Sequence, residues 1–397
     1  MPAVELVAVN QCSGNSRGFF DPRVASGQLA NGALGNAKWR GVPLKALLDK
    51  AGIDASAKQV TFDGADGPVL PTTPDFVKAL DLDHAMDSEV MVAYAMNDAD
   101  LPMLNGHPVR LVVPGYFGTY WVNHLATINV VDSVYDGFWM KSAYRIPDNP
   151  CACVEPEPGT APKKTVPINR FTIRSFVTSV ADGARVPAGR EFEVRGFAFD
   201  GGFGIREVAL SIGGGKSWVD TTLDADLGKY SFRGFRTRVW LREGEHVLMS
   251  RAVNAIGQTQ PRSASWNPAG YLRNIVESTR VTRCRVVKER AMSVATLPVR
   301  TALATAFALA AACGALATKI ELPPETARLA NAPGVELANA QCMTCHSVDY
   351  VITQPRGKPL AFWKAEVEKM KAVYGAPIPP EDIGPLADYL TRAYGTP

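Results

Sequence analysis

Val4-Glu5-Leu6-Val7-Ala8-Val9 runs into Cys12-Ser13-Gly14-Asn15-Ser16-Arg17 near the start of the chain. The first six residues are short, apolar and rich in valine, which reads as a buried strand. Gly14 then marks a turn. A cysteine is thereby presented where a strand stops, with backbone amides and Arg17 close by, a setting that could ligate a soft metal. On composition alone, a structural cysteine and a metal ligand both stay open.

Working outward, Arg110-Leu111-Val112-Val113 is a second buried strand, ending at Pro114-Gly115. Residues 42–51 read as a helix with Leu44, Leu47 and Leu48 on one face and Gly52 as its stop. Residues 1–160 are therefore expected to form an α+β domain. Pro147, Pro150, Pro156, Pro158, Pro162 and Pro167 rule out continuous helix or sheet and mark a linker. Residues 161–290 follow, and their core from 168 to 285 looks all-β. Phe192, Val194, Gly196 and Ala198 alternate with outward positions, as do Val208, Leu210 and Ile212 before the Gly213-Gly214-Gly215 turn. Short strands at this spacing predict an antiparallel sandwich.

Residues 291–317 have another character. After Met292 comes one cation, Arg300, then no charge until Lys319, with the apolar run Ala302–Ala312 and the triplet Ala315-Leu316-Ala317. This is the pattern of a secretory signal peptide in mid-chain. A buried helix and a short membrane span are the alternatives; no stable span is expected. The expectation is that Met292 starts a separate exported protein and that the chain joins two neighbouring reading frames.

Residues 318–397 are predicted all-α, with helices around 325–340, 361–374 and 380–394. Trp363, Val367, Met370 and Tyr374 share one apolar face, as do Ile383, Leu386, Ala387 and Leu390. Here lies Cys342-Met343-Thr344-Cys345-His346, the attachment signature of a c-type haem. Cys342 and Cys345 would bond the haem edge and His346 the iron. Met370, the only methionine after the motif, is the candidate second axial ligand, and a thioether there suits an electron acceptor. The alternatives, a zinc half-site or redox dithiol, would need more cysteines or a thioredoxin-like unit. The remaining cysteines, 12, 151, 153, 284 and 313, have no regular spacing and predict no disulfide scaffold. Cys151 and Cys153 read as loop cysteines without a ligand role.

At 397 residues the chain suits two or three domains. Its 46% hydrophobic and 20% charged residues are globular values, and a net charge of +3 without a basic run speaks against nucleic acid as a partner.

Cys12–Arg17 resembles the C-x-G-N-x-R motif of the sulfite oxidase family of molybdenum enzymes. Gly32–Leu44 and Asn105–Gly115 resemble its next segments. Gly196–Gly202, Ile205–Trp218, Trp266-Asn267 and Gly270 resemble its immunoglobulin-like dimerisation domain. The resemblance covers residues 1–285. It implies a sulfite-oxidase molybdopterin fold, then an immunoglobulin-like sandwich, with molybdenum-molybdopterin as cofactor. It implies Cys12 as the molybdenum thiolate, and Arg17 and Tyr144 as catalytic groups on the sulfite oxyanion. Arg110 matches a pterin-phosphate contact and Asp66 a further pterin contact. Trp121, Val122 and Asn123 occupy a third pterin-binding strip, and Asn105 is a further cofactor-binding position. The chain departs from the animal enzymes at Asn105, where they carry histidine, and at Gly118–His124. Ala269 stands in place of an arginine near the substrate, and Arg273 is the candidate substitute. The family also has an upstream segment with an Arg and a His that hold pterin and substrate. The expectation is that Met1 is an internal or misplaced start and the molybdopterin domain is N-terminally truncated.

Residues 371–377 resemble the distal segment of small class I cytochromes c. Taken together, the resemblances imply a periplasmic sulfite dehydrogenase that passes electrons from sulfite through haem c to a soluble cytochrome c. Its molybdenum and cytochrome parts would be separate subunits or one chain, and a homodimer could form through the immunoglobulin-like domain. Two alternatives stand beside it: a related molybdenum enzyme acting on another sulfur compound, and a cofactor-less truncated domain leaving only an electron-carrying cytochrome.

Overall fold

The computed structural model describes residues 1–68, 70–71, 73–154, 160–187, 191–284 and 326–395. The signal-like segment at 291–317 and Cys313 lie outside the described residues. Among those described, no helix is long and apolar enough to cross a membrane.

The first domain holds strands β1 (Val4–Gln11), β2 (Leu34–Pro43), β3 (Gln59–Gly64), β4 (Lys78–Asp81), β5 (Met91–Met96), β6 (Ala99–Asp100), β7 (Arg110–Val112), β8 (Leu125–Val131) and β9 (Arg145–Pro147). Helices α1 (Leu44–Ala51), α2 (Leu82–Ala85) and α3 (Phe138–Lys141) lie between them. One sheet runs β1-β2-β5-β6, with β7 also paired to β5, and a second runs β4-β3-β8. Leu44, Phe62, Met91 and Leu111 are fully buried between them. Removing each such side chain from water contributes about 1.5–3 kcal/mol, so this core fixes the two sheets. The Val4–Val9 run is a strand, as expected, but it extends to Gln11 and delivers Cys12 directly onto the turn.

The strand β10 (Thr165–Pro167) pairs back to β9. The second domain is built from β11 (Arg174–Val177), β12 (Ala184–Pro187), β13 (Phe192–Phe199), β14 (Ile205–Ser211), β15 (Val219–Asp220), β16 (Thr222–Leu223), β17 (Arg233–Val239), β18 (Gly244–Asn254) and β19 (Ser278–Cys284). Two sheets, β11-β13-β17-β16 and β12-β19-β18-β14-β15, face each other across Val194, Leu210, Phe235 and Leu248. This is the sandwich that the alternation of Phe192–Ala198 and Val208–Ile212 predicts, with one parallel pair, β12 with β19.

The last part carries α4 (Val335–Cys342), α5 (Asp349–Ile352), α6 (Leu360–Ala372) and α7 (Ile383–Tyr394) around Trp363, Val367, Leu386 and Tyr389. The first helix starts ten residues later than the 325–340 expectation, at Val335. Pro333-Gly334 precedes it, and Gly334 takes φ 99°, a left-handed conformation that ends any run from the N-terminal side.

Candidate functional site

Cys12 closes β1 and opens a turn built by the backbone. Its N–H donates to Ala33 O at 3.0 Å, and Asn15 N–H donates to Cys12 O at 3.0 Å. Asn15 then secures the turn: its side-chain oxygen accepts from Ala33 N–H at 3.1 Å. The Cys12 thiol takes part in none of this and is free and exposed. It faces a cavity of about 720 Å3, a size suited to a substantial ligand.

The cavity is lined by Cys12, Ser13, Asn105, Arg110, Trp121, Asn123 and Tyr144, with Asn10, residues 33–37, Trp39, Phe76 and Thr119 among the other walls. The structure thus brings together four of the expected cofactor residues, Asn105, Arg110, Trp121 and Asn123, around the cysteine and the tyrosine. Val122 is buried in the core beside them and does not line the space. Asp66 is exposed on the loop after β3, outside the cavity. The polar groups of this wall are incompletely satisfied by protein. Ser13 Oγ, Asn36 Oδ1 and Arg110 Nε are buried without a hydrogen-bond partner among the described residues. Three orphaned polar groups on one cavity fit a ligand rich in donors and acceptors, as a pterin phosphate is.

Arg110 spends its other donors on structure, giving to Asn105 O at 2.9 Å and Trp121 O at 3.0 Å. Its guanidinium lies over both the Trp39 and Trp121 rings, 5.2 and 5.7 Å from their centroids, and those two rings meet edge to face. Burial lowers its pKa to about 10, so it remains a cation at neutral pH.

Arg17 is buried in the wall behind Cys12 rather than in the cavity lining. Nε donates to Ala269 O at 3.0 Å and Nη1 to Gly27 O at 3.2 Å, and the guanidinium lies 5.0 Å from the Tyr271 ring centroid. Two glycines make room for it. A Cβ on Gly14 would stand 2.7 Å from Arg17 Nη1, and one on Gly270, at φ 63°, 2.7 Å from Arg17 Cγ. Ala269 therefore serves through its carbonyl. Arg273, the candidate substitute for the missing arginine, is instead ion-paired to Glu277 and set over Phe19. That ion pair engages it outside the cavity lining.

Tyr144 sits at φ 53° and stacks parallel on Tyr271, with ring centroids 6.2 Å apart. Burial pushes its hydroxyl up to about 12, so it stays an O–H donor across the neutral range. Tyr271, Thr119 and Lys78, which borders Tyr144, were not identified by the sequence reading. Tyr271 was within reach, one residue beyond the Gly270 match; Lys78 had no signal, because a lysine in a short strand reads as a solvent-facing position.

Lys78 carries its own test. It is fully buried, and burial lowers its pKa to about 7 from the usual 10.5. Between these two values the unfolded chain binds the proton and the folded one does not, so stability rises with pH through that window, by roughly 1.4 kcal/mol per unit from this group alone. Denaturant unfolding at about pH 7.5 and 9.5 should show the rise, and Lys78→Met should flatten it.

In the last part, Cys342 and Cys345 are both free, one half-buried at the end of α4 and one exposed. His346 Nδ1 lies 2.9 Å from Ser347 O. A carbonyl can only accept, so Nδ1 is the donor in this contact and Nε2 is the ring nitrogen left open toward a metal. Met370 packs half-buried against the helical core. The sulfurs of Cys151 and Cys153 are bonded to each other, where the sequence reading saw unbonded loop cysteines; Asn149 holds the loop tight by donating to Cys153 O at 2.9 Å. Among the described residues no cluster of three or more His, Cys, Asp or Glu stands ready for a metal.

Comparison with known proteins agrees with this geometry. Residues 1–139 match the oxidoreductase molybdopterin binding domain, and residues 165–284 the Mo-co oxidoreductase dimerisation domain. Mitochondrial sulfite oxidase of Mus musculus is 30% identical over 291 residues, covering 69% of this chain and 52% of that protein. Nitrate reductase [NADH] 2 of Nicotiana tabacum is 27% identical over 308 residues, covering 72% of this chain and 34% of that one. The chain spans about half the length of the animal sulfite oxidases it matches. The crystal structure of sulfane dehydrogenase SoxCD from Paracoccus pantotrophus shares the fold, with a TM-score of 0.59 at 24% identity over 70% of this chain and 69% of that one.

Proposed function

From a chain whose first two domains are those of the sulfite oxidase family of molybdopterin oxidoreductases, we propose a sulfite dehydrogenase whose molybdenum site hands electrons to a haem c in the C-terminal helices. The overall change is sulfite plus water to sulfate, two protons and two electrons. The observation that carries it is the free Cys12 thiol on a cavity with three orphaned polar groups.

When bound, molybdenum-molybdopterin would supply the two-electron and oxygen-transfer chemistry, and haem c the single-electron steps. Cys12 would hold the molybdenum through its thiolate, while Arg110 Nε, Asn105, Trp121 and Asn123 would hold the pterin. Arg17 is a fixed cation behind the thiol, and its carbonyl ties keep it from collapsing onto the substrate anion. Tyr144, protonated at neutral pH, donates its hydrogen bond to the oxyanion.

The haem proposal is supported by how the helical part meets the first domain. The loop that receives Arg17 also meets residues just after the CxxCH motif. Arg23 Nη2 donates to Thr353 O at 3.0 Å, and Ser26 and Gln354 exchange hydrogen bonds at 3.1 and 3.0 Å. A Cβ on Gly27 would stand 3.6 Å from the Tyr350 ring, which itself packs 5.1 Å from the His346 ring. On the far side of the motif, Thr73 donates to Val373 O at 2.6 Å. Residues near both candidate haem ligands, His346 and Met370, thus contact the first domain, those after His346 at the loop that receives Arg17. Trp363 Nε1, buried without a partner among the described residues, suits a haem propionate. We place the protein in the periplasm, because c-type haem attachment and the Cys151–Cys153 disulfide both belong to oxidising, exported settings. A soluble cytochrome c would take the electrons, and a homodimer would form through the sandwich.

Metal content with a sulfite-reduced visible spectrum, on protein expressed with export intact, tests this. One molybdenum per haem and haem reduction on adding sulfite are expected. Haem without molybdenum rejects the enzyme reading, and reduction by other sulfur compounds but not sulfite reassigns the substrate.

A further inference from the structure

One buried cation next to the site has no part in the proposed reaction. Lys78 lies on β4 with no exposed surface. Its Nζ donates to Trp139 O at 2.7 Å and stands 4.6 Å from the Tyr120 ring centroid and 5.2 Å from that of Tyr144. Among the described residues no carboxylate pairs with it. A fully buried, unpaired lysine works against folding, since an apolar side chain of the same length would fill the place without desolvating a charge. What it gains is contact with two phenol rings and a carbonyl. Tyr120 is tied down independently, its hydroxyl donating to Ile168 O at 2.5 Å. Trp139 packs 6.0 Å from Tyr144 and 5.1 Å from Phe76, both cavity residues. Lys78 therefore joins a fixed ring, a fixed carbonyl and the ring of Tyr144, which lines the Cys12 cavity.

We infer that Lys78 is a positioning residue for Tyr144: its Nζ, braced on Trp139 O and Tyr120, holds the Tyr144 ring by its face and sets where the hydroxyl points. A cation on a phenol face is attractive when desolvated, and it draws electron density from the ring, which makes the hydroxyl a better donor. The kinetic consequence rests on Tyr144 acting on the substrate oxyanion; the contact itself does not. The elements packed against β4 bring Asp63 from β3, Asp83 and His84 from α2, Lys141 from α3 and Tyr120 from the turn before Trp121, with Asp81 on β4 itself and Arg145 beside Tyr144. None of these governs Lys78, whose lowered basicity comes from burial.

The test uses the full chain labelled with 13Cζ-tyrosine, Tyr144→Phe assigning the resonance. As the buried ammonium loses its proton near about pH 7, the Tyr144 resonance should step, and Lys78→Met should abolish the step and shift the signal. A Tyr144 resonance with the same shift and pH response in Lys78→Met overturns the inference whatever the substrate proves to be. In kinetics, Lys78→Met should lower kcat/KM for sulfite about tenfold, mainly through KM, without lowering the melting temperature. On a Tyr144→Phe background the same change should cost less than about twofold. An equal loss on both backgrounds refutes action through Tyr144. A wild-type protein that oxidises no sulfite rejects the enzyme reading alone, and the resonance still decides Lys78.

Discussion

Cys12→Ser is expected to remove sulfite oxidation to below about a thousandth of the wild-type rate, a barrier increase of about 4 kcal/mol or more. The effect is chemical, because the turn does not depend on the sulfur. Its hydrogen bonds run through the backbone of Cys12 to Ala33 and Asn15, and through the Asn15 side chain. The thiol is exposed on the cavity, and serine at such a position changes stability by no more than about 0.5 kcal/mol. A hydroxyl is a harder and far less acidic ligand than a thiol, so a soft metal loses its protein anchor. Molybdenum content and sulfite turnover should fall together while the haem spectrum and melting temperature hold. Sulfite oxidation retained in this variant would sink the assignment of Cys12 and, with it, the reading of the cavity.

How far the sequence foretold this site depends on what kind of information each residue carries. Cys12, Gly14 and Asn15 sit on one strand end and one turn, which Asn15 N–H closes onto Cys12 O, so their pattern survives in the linear chain. The Phe192–Ala198 alternation is local as well, and the strand appears where period two predicts it. Contacts that close across the fold leave no such trace. Arg17 finds Ala269 and Tyr271 some 250 positions away, and the Arg174 guanidinium reaches back from β11 to donate to Ser16 Oγ at 2.9 Å. That bond fixes Ser16 at φ 71°, next to Arg17, and nothing around Arg174 in the sequence announces it. Lys78 is the extreme case, since its meaning lies wholly in the rings that surround it. Resemblance carried over roles that geometry then sorted: Arg110 and Asn105 line the cavity, whereas Asp66 lies outside it and Arg273 is engaged by Glu277. Where a family position is held by a loop, as at Asp66, residue identity alone cannot place it.

The second large effect concerns the other end of the electron path. Replacing Cys342 and Cys345 together by alanine should abolish covalent haem, read as loss of haem staining under denaturing conditions. The first domain should be untouched, because among the described residues its hydrogen bonds with the helical part run through Thr353, Gln354 and Val373, not through the cysteines. The double variant should therefore lose sulfite-driven reduction of cytochrome c while keeping sulfite-driven reduction of a small artificial oxidant that reaches the cavity directly. Loss of both would mean that the helices hold the molybdenum site together rather than drain it. Met370→Leu separates ligation from attachment. Leucine fills the same place against the core of Trp363 and Val367, whereas Tyr374, expected on that face, lies past the helix end and is exposed, so the helix should persist at a cost under about 1.5 kcal/mol. The thioether, however, is gone, and the haem potential should drop by on the order of 100 mV or more. An unchanged potential would show that Met370 is core alone and that the second axial position is filled by another group. A drop with full haem content would fix the ligand pair as His346 and Met370, and would slow electron uptake from the Cys12 site by weakening its driving force rather than its contact.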